Sequence, residues 1–170
     1  MFVKSQIVLV DTNVILEAHR VGCWAALCQY FALHTVEKVV EETQTGFQNR
    51  SLEQTINEQT LRKQLKHVEP ITDLQRAEFT TAHFDAVLDD GERDLVIYAG
   101  SIDVAHVWLL NSPDIATIRH ASRRNWLDQL ISLEEMRQHL NPKAKTALRT
   151  NYTRSWLSSQ RTQFRSGSKI

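Results

Sequence analysis

A three-layer α/β/α fold around a central, mainly parallel sheet is the architecture this chain predicts. Three observations carry it. Short apolar runs that read as strands alternate along the chain with stretches of helical spacing, the pattern that builds a parallel sheet with helices on its faces. The first run, Ile7 to Val10, is four apolar residues, three of them β-branched, with no polar alternation; a strand covered on both faces reads this way. Finally, 42% of the 170 residues are apolar and only three are proline and five glycine, a composition for an ordered, helix-rich globule.

In chain order, Asn13 to about Arg20 has helical spacing. Trp24, Leu27, Cys28 and Phe31 then fall at i, i+3, i+4 and i+7 of a second apolar helix. Leu33 to Val36 is a short strand. Val36 to Phe47 is a helix with Val36, Val39, Val40 and Thr43 on one face and Gly46 near its end. Residues 48 to 66 are polar, with Leu52, Ile56, Leu61 and Leu65 too sparse for a deep helix, so a surface helix is expected. His67 to Ile71 contains Pro70, which confines any strand there to an edge. Thr72-Asp73 caps a helix to about Leu88.

Asp89-Asp-Gly is a turn and helix-start signal, with Leu95, Ile97 and Tyr98 in the helix that follows. His106 to Leu110 is the second buried-looking strand. Beyond it Ser112 is a candidate N-cap with Pro113 at the first helical position, opening a helix from Asp114 to about Arg124. Trp126 to Ile131 reads as a last short strand. Ser132-Leu-Glu-Glu135 is a capping box before a short helix to Leu140. The remainder is polar and basic, with helical character around Ala144 to Trp156.

The formal charge is zero, with 20 acids and 20 Lys/Arg, but it is unevenly spread. Residues 141–170 carry seven bases (Lys143, Lys145, Arg149, Arg154, Arg161, Arg165 and Lys169) and no acid, which leaves a formal −7 on residues 1–140. The chain therefore divides into a domain over 1–140 and a basic, partly helical extension over 141–170. A basic tail on an acidic body suits a polyanion, an acidic partner or the body itself. No apolar run approaches a membrane span. The N-terminal stretch lacks the apolar core of a signal peptide. The two cysteines, Cys23 and Cys28, have no second pair to make a zinc site or a disulfide framework. A reducing, cytoplasmic setting with no membrane partner is expected. The seven histidines have no i, i+4 pair on a helix, which argues against a histidine metal site. Trp24, Trp108 and Trp126 read as core residues.

Asp11 stands at the exit of the first strand, where burying an acid is costly unless water, a donor or a cation meets it. Strand exits of open α/β sheets are also where ligands bind. If the exits of Val10 and Leu110 lie side by side, Asp11 approaches Asp114. Glu42 and Asp94, both on helices, are candidates to complete the cluster. Close carboxylates repel and raise one another's pKa. An all-oxygen set of this kind selects a hard ion such as Mg²⁺ or Mn²⁺, which at a phosphodiester can activate water and stabilise a leaving oxygen. Each acid has a local reading too. Asp11 can cap a helix, Glu42 can be one solvated charge beside Glu41, and Glu92, Asp94 and Asp114 can be first-turn acids favoured by the helix dipole. Asn13 and Ser112 can orient ligands or water, or cap backbone.

Four stretches together resemble the PIN-domain ribonucleases, the family that includes the toxins of VapBC toxin–antitoxin pairs. They are Ile7-Val-Leu-Val-Asp-Thr-Asn13, Val39-Val-Glu-Glu42 through Gly46, Asp90-Gly-Glu-Arg-Asp94 through Ala99, and Leu109-Leu-Asn-Ser-Pro-Asp114. They span roughly residues 5 to 131. The resemblance implies catalytic, metal-holding roles for Asp11, Glu42, Asp94 and Asp114, with Glu92 at an accessory position. It implies an Mg²⁺- or Mn²⁺-dependent endoribonuclease, and an antitoxin protein as partner if the chain is a toxin. Pro113 departs from the pattern, standing where many members carry another acid. The basic extension lies outside the family's compact fold.

In the extension, Tyr152, Trp156 and Phe164 interleave with Arg149, Arg154, Arg161 and Arg165. That suits base stacking with phosphate contacts, and equally a terminal helix docking on its own domain or on a partner. Arg149, Arg154, Trp156 and Arg161 are accordingly candidate RNA contacts. The alternative to a nuclease is a non-catalytic module of the same fold that binds nucleic acid or protein. A homodimer through the tail is a further possibility.

Overall fold

The computed structural model describes residues 2–45, 52–140 and 146–167. Four parallel strands form the sheet: β1 (Ile7–Val10), β2 (Ala32–Val36), β3 (His67–Glu69) and β4 (Trp108–Asn111), in the order β3-β2-β1-β4. Helices cover both faces, giving the three-layer α/β/α arrangement. They are α1 (Thr12–Arg20), α2 (Trp24–Tyr30), α3 (Glu37–Thr43), α4 (Glu58–Gln64), α5 (Asp73–Ala82), α6 (Asp90–Ser101), α7 (Ile115–Arg123), α8 (Leu133–Leu140) and α9 (Arg154–Arg165). No helix among the described residues is long and apolar enough to cross a membrane.

The continuous apolar run at the start of the chain becomes the inner strand. Val8, Leu9 and Val10 are fully buried, each worth about 1.5–3 kcal/mol of transfer free energy. The proline-containing segment at 67–71 supplies the edge strand β3, as Pro70 requires. From β1 the chain moves outward to β2 and β3, then returns to place β4 on the other side of β1. This reversal makes the β1–β4 boundary the topological switch point of the sheet, where the exits of the two strands open a crevice. Val10 is in register with Asn111.

Several elements differ from the sequence reading, each for a local reason. β4 begins at Trp108 rather than His106, because Asp103 turns the chain by accepting from Ala105 N (2.8 Å) and His106 N (2.9 Å). The expected strand at Trp126–Ile131 is instead a 3₁₀ turn over Leu127–Gln129, with a single parallel bridge from Leu130 to Leu110. There the Arg161 guanidinium donates to the Leu127 and Leu130 carbonyls that a longer strand would present. α5 stops at Ala82, short of Leu88; in its last turn the Thr80 and Thr81 hydroxyls bond back to the Arg76 and Ala77 carbonyls, a pattern that weakens a helix. Thr72 does cap α5, in a capping box with Gln75. The sparse apolar residues near α4 are more deeply placed than a surface helix requires, with Ile56, Leu61 and Leu65 all buried. α3 ends at Thr43, short of the expected Phe47, where the Gln44 and Thr45 N–H groups close the last turn onto the Glu41 and Glu42 carbonyls. Gly46, Phe47, the start of the polar stretch at 48–51, and Pro142, Lys143, Lys145 and Lys169 lie outside the described residues.

The basic extension docks on the domain. Its helix lies later than the sequence suggests, at α9, capped by Thr153, whose hydroxyl accepts from Trp156 N (3.3 Å). Tyr152 and Leu157 are buried in the same core as the sheet, with Leu148, Trp156 and Phe164 packed against it. α9 contacts α7 and α8.

Candidate functional site: an acidic crevice at the strand exits

Asp11 leaves β1 and becomes the N-cap of α1, its Oδ1 accepting from Val14 N at 2.8 Å. It is 4% exposed. Burial pushes its carboxyl up to about 7, and the charges of Asp114 and Asp89 push the same way. Hydrogen bonds from the Ser112 side chain and Val14 N–H oppose the rise. Ser112, at the neighbouring strand exit, is thus turned toward Asp11 rather than capping the next helix. The cap of α7 is Asp114, whose Oδ1 accepts from Ala116 N at 2.7 Å. Pro113, the departure from the family pattern, is buried between them.

α6 brings two further acids. Asp89 is its N-cap, accepting from Glu92 N (2.8 Å), while Glu92 reaches back to Asp89 N (3.2 Å). Glu92 is buried and hydrogen-bonded to Asp114. Its carboxyl is pushed up to about 8, first by burial, then by the charges of Asp114 and Asp89. Glu42 comes from α3. Its Oε2 accepts from the Thr12 hydroxyl (2.6 Å) and its Oε1 from Gly91 N (3.1 Å). Its pKa is raised by burial, with Asp89 adding to the rise. Gly91 is required by this approach, since a Cβ there would stand 2.5 Å from Glu42 Oε2.

A crevice lined by Asp11, Thr12, Asn13, Glu42, Asp89 and Glu92 results. Asn13 is exposed at its rim. The first residues of α1 and α6 line it, and the dipoles of these two helices partly offset the crowded negative charge.

Asp94 does not join this group. It is 1% exposed and held by Arg76, at 3.0 and 3.2 Å from Nε and 2.7 Å from Nη2, and by Arg93 at 3.2 Å. Two residues beyond Glu92 on a helix is about 200° around its axis, so the two acids face apart. Glu92, read as accessory, is the α6 acid at the crevice. Asp89 was missed: Asp-Asp-Gly registers as a turn, yet Asp89-x-x-Glu92 is an acidic capping box that carries both carboxylates to one helix end.

Of the four candidate RNA contacts of the extension, Trp156 and Arg161 are taken up in docking, while the Arg149 and Arg154 side chains stay exposed. Arg149 N donates to the fully buried Glu17 (2.9 Å), and Arg161 is half-buried against main-chain carbonyls. Trp156 packs on the core, and Arg154 is exposed near Glu135 at 3.8 Å.

The donor chemistry of the crevice, oxygen only, fits a hard divalent cation. As the side chains lie, no three His, Cys, Asp or Glu groups among the described residues form a set able to hold a metal ion. No family model, curated protein or solved structure matches the chain.

Proposed function

We propose that the protein is a divalent-cation-dependent endoribonuclease of the PIN-like kind, acting at the crevice between the exits of β1 and β4. One observation carries this reading. Acids from four segments distant in sequence, Asp11, Glu42, Asp89/Glu92 and Asp114, gather at the switch point of a parallel sheet, and burial lifts two of them to about 7 and 8. Such crowding is unfavourable in isolation and is relieved by a cation. Asp11, Glu92 and Asp114 would hold the ion, with Glu42 on the far wall, and a bound Mg²⁺ or Mn²⁺ supplies Lewis acidity and a nucleophilic water to a phosphodiester.

The chain's own residues prepare the place. Ser112 and Val14 N–H fix the orientation of the Asp11 carboxylate. Thr12 and Gly91 N–H fix that of Glu42. Glu92, sharing a proton with Asp114 in the absence of a cation, is placed to give it up when positive charge arrives. The setting proposed is cytoplasmic, with RNA as substrate; an antitoxin partner would follow if the chain is the toxin of such a pair.

The test is cleavage of single-stranded RNA with added Mn²⁺ or Mg²⁺. Asp11→Asn keeps the helix cap, since Asn caps as well as Asp, and should abolish cleavage with the fold intact. Undiminished cleavage by this variant rejects the mechanism. A second reading, a non-catalytic binding module, is favoured by the caps: Asp11, Asp89 and Asp114 each satisfy a helix N-terminus. Calorimetric titration with Mn²⁺ separates the two, because caps alone have no need of an ion.

A further inference from the structure

Outside the acidic crevice, a pair of clefts lies at the other end of α6 and α7. One, of about 260 Å³, lies among α5, α6 and α7 and is lined by Phe79, His83, His120, Gly100, Arg124 and Trp126. The other, of about 340 Å³, shares Gly100, Arg124 and Trp126 with it and continues past His106 and Trp108. Rings form part of their walls, beside Gln75 and Glu78 in the first and Gln129 in the second. Phe79, His83 and His120 stand 4.7–5.3 Å apart, centroid to centroid, and His120 lies 6.0 Å from Trp126. His120 itself is buried, 4% exposed, and packs against the other rings; burial, then the charges of His83 and Arg124, push it down to about 4. Between the clefts the Arg124 guanidinium sits 5.0 Å over the Trp126 ring.

The charge on this face is mixed with a basic excess: Glu78 lines the first cleft and Asp85 the neighbouring groove, against three arginines. α7 carries Arg119 and Arg123, followed by its C-cap Arg124. Arg123 pairs with Asp85 at 2.8 Å; among the described residues Arg119 and Arg124 form no ion pair. A small groove lined by Asp85, Leu88, Arg119 and Arg123 lies on the far side of His120, against the loop that leads into Asp89. α7 itself spans the interval. From Asp114 at its cap to His120 is six residues, about 9 Å of helix.

We propose that these clefts bind the single strand of RNA that extends from the acidic crevice, with bases against the half-buried Phe79, His83 and Trp126 rings, and phosphates on Arg119 and Arg124. Stacking surfaces interleaved with guanidinium groups are what a single strand recognises, and an acidic crevice needs a cationic neighbour to hold a polyanion near it. The inference rests on the nuclease reading for its substrate class and assigns the strand a path along α7 rather than along the basic extension.

The test is binding by the full chain of a fluorescein-labelled single-stranded RNA of about 12 nucleotides, followed by anisotropy in EDTA so that no cleavage occurs. Arg124→Glu reverses the charge at an exposed position. Gly100→Leu plugs both clefts from a site where a Cβ meets Trp126 at an ordinary 3.5 Å. Arg154→Glu, on the docked extension, is the comparison. Both cleft variants should weaken binding at least fivefold, and Arg154→Glu by less than that. Wild-type protein that does not bind the strand, Arg124→Glu that binds within fivefold of wild type, or Arg154→Glu that weakens binding as much, overturns the assignment. Arg124→Glu decides alone if thermal melting shows Gly100→Leu to be misfolded. Cleft-dependent binding without cation-dependent cleavage would remove the nuclease reading and leave this surface standing. Cleavage with binding unchanged in both cleft variants would do the reverse.

Discussion

The Glu17 carboxylate on α1, wholly buried, accepts a hydrogen bond from the main-chain N–H of Arg149, 132 residues further along the chain. The same carboxylate takes two bonds from Arg20, at 2.7 and 2.5 Å, and Arg20 in turn donates to the Ala147 carbonyl at 2.8 Å. The basic extension is therefore fastened to the first helix by one buried acid. Burial would raise its pKa, but the Arg20 and Arg149 bonds and charges outweigh burial and hold it below the ordinary glutamate value.

Glu17→Ala should lower the unfolding free energy by about 1–3 kcal/mol, the cost of leaving its buried donors unmatched. Amide hydrogen exchange in α9 should rise more than exchange in β1. Uniform acceleration across both would show that the acid supports the whole core and does not fasten the extension.

Because folding depresses the Glu17 pKa, its stabilisation is complete above the unfolded value near 4.5 and is lost as pH falls through the lower folded value. Loosening of α9 should thus appear on acidification below about pH 4.5. Glu17→Gln should flatten that dependence. Exchange or tryptophan fluorescence of Trp156 measured against pH checks both.

Asp11 and Glu92 have the opposite sign. Folding raises them from 3.8 and 4.5 to about 7 and 8. In cation-free protein their contribution to stability is complete below the unfolded values and is lost as pH rises through 7 to 8. Asp11→Asn should therefore melt higher than wild type at pH 8 in EDTA, by an amount on the order of 1–3 kcal/mol, or roughly 2–4 °C per kcal/mol. Added Mn²⁺ should raise the wild-type melting temperature and erase the difference. Melting curves with no such crossover would count against a cation site.

Gly91→Ala tests the approach of α6 to Glu42. In an open helix the change gains up to about 1 kcal/mol. Here the new methyl group meets Glu42 Oε2 at 2.5 Å, and overpacking of this kind costs about 1–3 kcal/mol. A lowered urea midpoint is the expected outcome. A raised midpoint would mean that Glu42 swings away freely.

Asp94→Asn should destabilise through the loss of the Arg76 and Arg93 pairs and leave any cation response intact, since Asp94 faces away from the crevice. Loss of the Mn²⁺-induced shift in melting temperature would return Asp94 to the site.

The parallel sheet was legible because β1 announces itself by an unbroken apolar run, and Pro70 forces its strand to an edge. The approach of Asp11 to Asp114 was legible for the same reason: Asp11 directly follows β1, and Asp114 stands three residues past the end of β4. The role of α6 was not. Glu92 and Asp94 look equivalent along the sequence, and what separates them is Arg76 on α5, a long-range partner no spacing reveals. The extension was ambiguous for a similar reason. Its alternation of rings and arginines fits either RNA or a groove; the buried Glu17 and the Leu127 and Leu130 carbonyls, which seat it on the domain, are long-range partners no spacing reveals.

The return of the chain from β3 to β4 also sets when the crevice can exist. Its two strand exits meet only after roughly a hundred intervening residues have been threaded outward and back. Contacts of such separation form late and slowly. On the ribosome, a growing chain that has not yet exposed β4 holds Asp11 as an ordinary helix cap, without Ser112, Asp114 or the acids of a seated α6 around it. The acidic crevice is therefore assembled only once β4 has been made and has returned to the side of β1.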